Sequence, residues 1–244
     1  MNAIAMIPAR YASTRLPGKP LLAETGKPLL AHVVEQVRRA RHINRIVVAT
    51  DDERIRQAAV RAEAEVVMTS PSCRSGTDRL AEAAASLKLP DETIIINVQG
   101  DEPEIPPRCI DLLVEMIARD DAPMATLATP LPAQQADDPA RVKVVLDSWN
   151  RALYFSRARI PHDRDGDGQT DYLLHLGVYA YRAGFLHWFA VANSTPAESV
   201  EKLEQLRVLE SGHNIRVQVV DYHGQGIDTR EDYDQFVKRV QSAG

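Results

Sequence analysis

Cysteine is scarce. The 244 residues contain two, Cys73 and Cys109, far apart and without zinc or redox spacing. A disulfide-stapled secreted scaffold is excluded, and two free thiols in a reducing compartment are expected. Long hydrophobic runs are missing too: none reaches the length of a membrane span. The stretch Met1 to Ile7 is too short for the apolar core of a signal peptide and is followed by charges. The expectation is a cytoplasmic protein that does not engage a membrane. There is no excess of positive charge, since the formal net charge is -5, and this argues against a nucleic-acid partner. No internal repeat, linker or low-complexity tract divides the chain.

What is present is ordinary for a globular domain: 44% hydrophobic and 26% charged residues. At this length a sizeable core can be built, and one domain spanning 1–244 is expected. Apolar runs alternate with helical patterns, which predicts an α/β fold with a mixed, mostly parallel sheet flanked by helices. Strands are predicted at Ala3 to Ile7, Arg45 to Thr50, Glu65 to Met68 and Thr93 to Val98. The helices predicted around them run over Leu29 to Arg41, Glu53 to Ala64, Thr77 to Leu87 and Pro106 to Arg119. The pattern then changes. Four strands, some of them antiparallel, are predicted between Ala125 and Tyr181, so residues 125–181 form a β-rich excursion. Helices over Ala183 to Ala192 and Ser199 to Ser211, a strand over Ile215 to Val220 and a helix over Arg230 to Gln241 close the chain.

In such sheets, ligands collect beyond the carboxyl ends of the parallel strands. The first strand runs into Pro8-Ala-Arg-Tyr-Ala-Ser-Thr-Arg-Leu-Pro-Gly-Lys19, which gathers Arg10, Arg15 and Lys19 with Ser13, Thr14 and Gly18. It matches neither glycine-rich phosphate motif, G-x-x-x-x-G-K-[ST] or G-x-G-x-x-G. Three cations this close repel one another unless an anion such as a nucleotide triphosphate lies between them. The alternative is a solvated basic turn. The triple-isoleucine strand runs into Gln99-Gly-Asp-Glu-Pro103, where Asp101 is a candidate Mg²⁺ ligand or a turn cap.

Ser75-Gly-Thr-Asp-Arg79 opens a helix, either as an ordinary N-cap or as a contact to an anion or a base edge. Thr229 and Asp232 fit a capping box, leaving Asp228 as a possible second metal ligand. Asp163-Arg-Asp-Gly-Asp-Gly168 imitates a calcium loop, but Leu174 stands where the twelfth, acidic residue belongs; it reads as a surface loop. Arg157 is an expensive charge unless paired with an anion, which an acidic substrate would supply. His175 is either a satisfied core histidine or a ligand contact. Glu204 and Gln205 become substrate contacts if their helix ends at the crevice.

These strings, in order and nearly end to end, resemble the CMP-Kdo synthetases, the 3-deoxy-manno-octulosonate cytidylyltransferases. The resemblance rests on Ile7 to Pro20, Ile46 to Asp51, Ser75-Gly-Thr77, Asn97 to Pro103, Val142 to Asp147, Ala152 to Arg157, His175 to Tyr179, Leu203 to Leu209 and Gly226 to Thr229. It implies a nucleotide-diphospho-sugar-transferase-like fold. It also implies a reaction, CTP plus Kdo giving CMP-Kdo and pyrophosphate with Mg²⁺, in lipopolysaccharide biosynthesis. By the same resemblance Arg10, Ser13, Arg15 and Lys19 would hold the triphosphate, and Arg10, Lys19, Asp101 and Asp228 would form the catalytic set. Ser75, Gly76, Thr77, Arg79 and Gln99 would meet the nucleotide, and Asp101 and Asp228 would bind Mg²⁺. Arg157 would pair with the sugar carboxylate, while His175, Tyr179, Glu204 and Gln205 would meet the sugar hydroxyls. A homodimer through the β-rich excursion is also implied. Asp78, His162 and the loop Asp163 to Asp171 depart from the family pattern. The first is mild; the last two lie near the expected sugar side and leave a related acid, such as 8-amino-Kdo or a sialic acid, as the alternative substrate. A non-catalytic CTP-binding regulator is the alternative of a different class.

Overall fold

In the computed structural model, the first apolar run becomes β1 (Ala3–Pro8), buried over nearly its whole length. The residues described are 3–12, 16–119, 122–166, 170–222, 224 and 226–242. After β1 come α1 (Leu29–Arg38), β2 (Ile43–Thr50), α2 (Glu53–Arg61), β3 (Glu65–Met68), α3 (Gly76–Ser86), β4 (Ile94–Asn97) and α4 (Pro107–Arg119). The excursion supplies β5 (Met124–Leu131), β6 (Lys143–Leu146), β7 (Ala152–Ser156) and β8 (Tyr172–Arg182). Then follow α5 (Ala183–Val191), α6 (Pro196–Glu201), α7 (Gln205–Glu210), β9 (Ile215–Val219) and α8 (Arg230–Ser242).

The sheet order is β3-β2-β1-β4-β8-β5-β9, with β6 bridging β7 and β8. β1 to β4 are mutually parallel, β8 is antiparallel to both its neighbours, and β9 is parallel to β5. Side chains on the two faces of the sheet feed two apolar clusters. Ala3, Ala5, Ile7 and Ile96 point into the one covered by α1 and α4. Ile4, Met6 and Ile95 point into the other, with Leu80 of α3 and Phe189 of α5. Strands buried on both faces read as continuous apolar runs, which is why Ile94 to Ile96 carry no polar alternation.

The antiparallel strand places the second half of the site. Asn97, the last residue of β4, pairs with Tyr179, so Tyr172 to Val178 run on past the carboxyl end of β4. At strand rise this overhang is about 20 Å long. β5 follows it, but the register jumps from Thr126↔Tyr179 to Leu127↔Leu176, leaving a bulge at Gly177 and Val178. Bulges re-aim side chains beside sites. Here Thr126 Oγ1 fills the bulge, lying 3.0 Å from Leu176 O and 2.7 Å from Val178 O.

The sequence predicts one helix over Ser199 to Ser211; the structure has two. Lys202 adopts a left-handed conformation, φ 55°, that ends α6, and Leu203 is buried before α7 begins. The last predicted strand of the excursion is also longer than expected, starting at Tyr172 rather than Leu176.

Candidate active site

Three cavities join above the carboxyl ends of β1 and β4. The first, about 380 Å³, lies between the β1 loop and the start of α3, with Arg10, Ser75, Gly76, Arg79 and Asp101 in its wall. The second, about 500 Å³, lies under the β8 overhang, with His175, Tyr179 and Gln205. The third, about 280 Å³, lies behind them against Thr77, Tyr181 and Glu204. Gln99 lines all three, and its Nε2 donates to Asn97 Oδ1 at 2.9 Å. Asp101 and Asp228 stand where the first two meet. Gly100 lets the β4 loop pass β1, since a Cβ there would lie 3.2 Å from Pro8 O.

The β1 loop is held by its own aromatic. Tyr11 carries the Arg54 guanidinium 3.4 Å above its ring centroid. Gly18, at φ 68°, passes so close that a Cβ would sit 3.1 Å from the Tyr11 ring. Arg10 is exposed on the cavity wall. Ser13 and Arg15 lie outside the described residues. Lys19 does not project alone: its Nζ donates to Asp101 Oδ2 at 2.7 Å, to Ile227 O at 2.7 Å and to Asp228 Oδ1 at 3.4 Å. This cation therefore draws the β4 loop and the 227–228 segment together. The capping box behind Asp228 forms, with Asp232 N donating to Thr229 Oγ1 at 3.2 Å and Thr229 N to Asp232 Oδ2 at 2.8 Å.

Ser75 does cap α3, its Oγ accepting from Asp78 N at 3.2 Å, and this turns Gly76 and Thr77 toward the cavities. Arg79 is buried behind them, donating to Thr69 Oγ1 at 2.5 Å and pairing with Asp51 at 3.4 Å. Thr77 Oγ1 donates to Glu204 Oε2 at 2.6 Å, joining α3 to the start of α7. The break at Lys202 is what brings Glu204 and Gln205 to the crevice, at the beginning of a helix rather than its end. Gln205 is 4% exposed, and its Nε2 has no hydrogen-bond partner. An orphaned buried donor is costly, so this amide is a ready donor to a ligand in the cavities it lines.

His175 is buried between Phe155 and Tyr179, and its Nε2 lies 3.1 Å from Thr126 Oγ1. That hydroxyl's single proton goes to a bulge carbonyl, so it accepts from the imidazole N–H. Burial pushes the His175 pKa down to about 3, and the ring is neutral at working pH. Burial also raises the Tyr179 phenol well above its ordinary range.

Arg157 is half-buried, just past the end of β7. It lines none of the three cavities; its Nε donates to Glu201 O at 2.8 Å and its Nη1 to Pro139 O at 3.0 Å. Three residues beside the crevice were not among the candidate site residues. Glu102, next to Asp101, has its carboxyl pushed up to about 8, first by burial and then by the charges of Asp101 and Asp228. Lys143 is fully buried, donating to Asp138 O at 2.9 Å and Arg157 O at 2.7 Å. Arg141 lines the second cavity. Only the run of two acids at 101–102 signalled any of these.

A family model for cytidylyltransferases matches residues 4–215. The chain belongs to the cytidylyltransferase family. Among solved structures, this cytidylyltransferase is similar to CMP:2-keto-3-deoxy-manno-octonic acid synthetase complexed with CTP. The two are 40% identical, each chain is covered completely, and the TM-score is 0.94. The resemblance read from the ordered motifs is thereby borne out, and so is the mixed, mostly parallel sheet. Two more distant matches share the fold. A cytidylyltransferase from Leptospira borgpetersenii serovar Hardjo-bovis (strain JB197) is 18% identical over 99% of this chain and 87% of its own, with a TM-score of 0.65. A 4-diphosphocytidyl-2C-methyl-D-erythritol synthase is 17% identical over 97% of both chains, with a TM-score of 0.66. Among the described residues, no helix of this cytidylyltransferase is long and apolar enough to cross a membrane.

Proposed function

We propose that this cytidylyltransferase joins CTP to Kdo, releasing pyrophosphate and forming CMP-Kdo. The observation that carries the reading is the full-length identity of 40% to a synthetase of that name holding CTP. The geometry supports it. A polar cavity lined by Arg10, Ser75 and Gly76 opens, at Asp101 and Asp228, into a second one lined by His175, Tyr179 and Gln205.

CTP takes the first cavity, with Arg10 and Lys19 facing the triphosphate and Ser75, Gly76, Thr77, Arg79 and Gln99 on the nucleotide side. The sugar acid takes the second, where Gln205 donates its spare N–H and Tyr179, His175 and Glu204 shape the wall. The anomeric hydroxyl attacks the α-phosphorus and gives up its proton to solvent, the bond from that phosphorus to the bridging β-phosphate oxygen breaks in line, and pyrophosphate leaves with its charge matched by the cations. The chain's contribution is positioning and charge neutralisation.

Asp101 and Asp228 are the residues that would hold Mg²⁺. They are hard oxygen donors that already converge on one cation, Lys19. Among the described residues no three His, Cys, Asp or Glu side chains form a metal cage. Two carboxylates suit a Mg²⁺ whose remaining ligands are phosphate oxygens and water. When bound, the ion would neutralise phosphate charge. The β6–β7 hairpin exposes Trp149, Leu153 and Tyr154, and this apolar surface is the proposed homodimer contact. A cytoplasmic location completes the proposal. Pyrophosphate release from CTP, Mg²⁺ and Kdo tests it, with a sialic acid alongside. No release with Kdo from folded protein overturns it.

A further inference from the structure

We propose that Arg54 is a positioning residue for the triphosphate: acting through Tyr11, it fixes the loop that carries Arg10 and Lys19. The assignment rests on the reading of the first cavity as the CTP site. Arg10 and Lys19 both line that cavity, and two like charges on one loop drive it apart unless the loop is held. The holding point is Tyr11. Its carbonyl accepts from Gly18 N at 3.1 Å, so residues 11 and 18 form the neck of the loop, with Arg10 just before it and Lys19 just after. Whatever fixes the Tyr11 ring therefore sets the spacing of both cations.

Arg54 is placed to do this. Its guanidinium lies 3.4 Å from the centroid of the Tyr11 ring, the ring that Gly18 passes so closely. A cation over an aromatic face is attracted by the ring's quadrupole. The stability of α2 does not account for the residue: Arg54 stands in the first turn, where the helix dipole disfavours a positive charge. Its aim comes from Asp52, the N-cap, which accepts from Arg54 N at 2.9 Å, from Nε at 3.0 Å and from Nη2 at 2.6 Å. One carboxylate thus caps the helix and holds the planar fork in a fixed direction. The neighbouring Asp51 pairs at 3.4 Å with Arg79, on the α3 side of the same cavity. The corner Asp51 to Arg54, at the carboxyl end of β2, is in this way fastened to both walls. Arg54 lines none of the three cavities, so its effect on a ligand passes through Tyr11.

The test is the dissociation constant of CTP and of cytidine, measured with Mg²⁺ by calorimetric titration, the weaker ligand by competition, for wild type, Arg54→Gln, Tyr11→Leu and the double variant. Arg54→Gln should weaken CTP about two- to fivefold, the size of an exposed cation–π contact, and leave cytidine unchanged. Tyr11→Leu should weaken CTP by at least as much. Adding Arg54→Gln to it should then cost less than about a further 1.5-fold, because the ring through which the arginine acts has gone. Arg54→Gln with CTP binding unchanged overturns the proposal. So does an equal loss of cytidine, the mark of general damage to the fold, or a loss as large without the ring as with it. These outcomes leave the functional reading standing. A wild type that binds CTP no more tightly than cytidine defeats that reading of the cavity, and this assignment with it.

Discussion

Replacing Asp101 by Asn should separate chemistry from stability. The carboxylate lies 2.7 Å from Lys19 Nζ, and its side chain is 30% exposed. The asparagine carbonyl can still accept from Lys19, which keeps Ile227 O and Asp228 as further partners. A part-exposed ion pair contributes about 1 kcal/mol or less. In a chain of this size the melting temperature should fall by no more than about 4 °C. Turnover is another matter. If Asp101 holds the Mg²⁺ that neutralises phosphate charge, its loss costs about 4 kcal/mol, or about a thousandfold in kcat. Pyrophosphate release at saturating CTP and Kdo, measured on the same preparation as the melt, reads both numbers. A variant keeping more than about a tenth of wild-type turnover would remove Asp101 from the catalytic set. A melt lowered by more than about 10 °C would make it a structural residue instead.

Thr77→Val removes the hydrogen bond to Glu204 from a residue on the nucleotide side, so the KM for the sugar and that for CTP should both rise, each about five- to twentyfold; an unchanged KM for the sugar would refute the link to Glu204. Gly18→Ala puts a Cβ at φ 68° and 3.1 Å from the Tyr11 ring. It should cost about 1–2 kcal/mol in urea denaturation and raise the KM for CTP, and an unchanged midpoint would be the contrary result. His175 has a folded pKa of about 3, below the ordinary 6.5, so the unfolded chain binds the extra proton between those values. Its buried neutral ring therefore contributes stability that is present above pH 6.5 and lost as pH falls toward 3. The stability gap between wild type and His175→Asn should shrink from pH 7 to pH 4.5, and an equal gap at both values would count against it.

The sequence made the parallel half of the molecule legible because its strands are unbroken apolar runs and its helices keep a clean period. It also brought Asp101 and the β1 loop to one crevice, since both follow parallel strands. The Ser75 cap and the Thr229–Asp232 box were readable from spacing alone. The second cavity was harder. The split between α6 and α7 depends on a left-handed Lys202, which no local propensity announces. The bulge at Gly177 depends on a partner strand some fifty residues earlier, at Thr126. Arg157 and Arg141 look alike in sequence; only their surroundings show one braced against carbonyls and the other facing a cavity.

The placement of β8 has a consequence for how the chain is made. β4, with three buried isoleucines, is paired on one side by β1, already synthesised, and on the other by β8, which emerges some eighty residues later. Until Arg182 has left the ribosome, that second side is an open edge, and β9 must still arrive to close β5. A nascent or truncated chain ending before Tyr172 thus displays a bare apolar strand, a template for misassociation. The same antiparallel insertion that lines the second cavity leaves the edge of β4 open until late in synthesis.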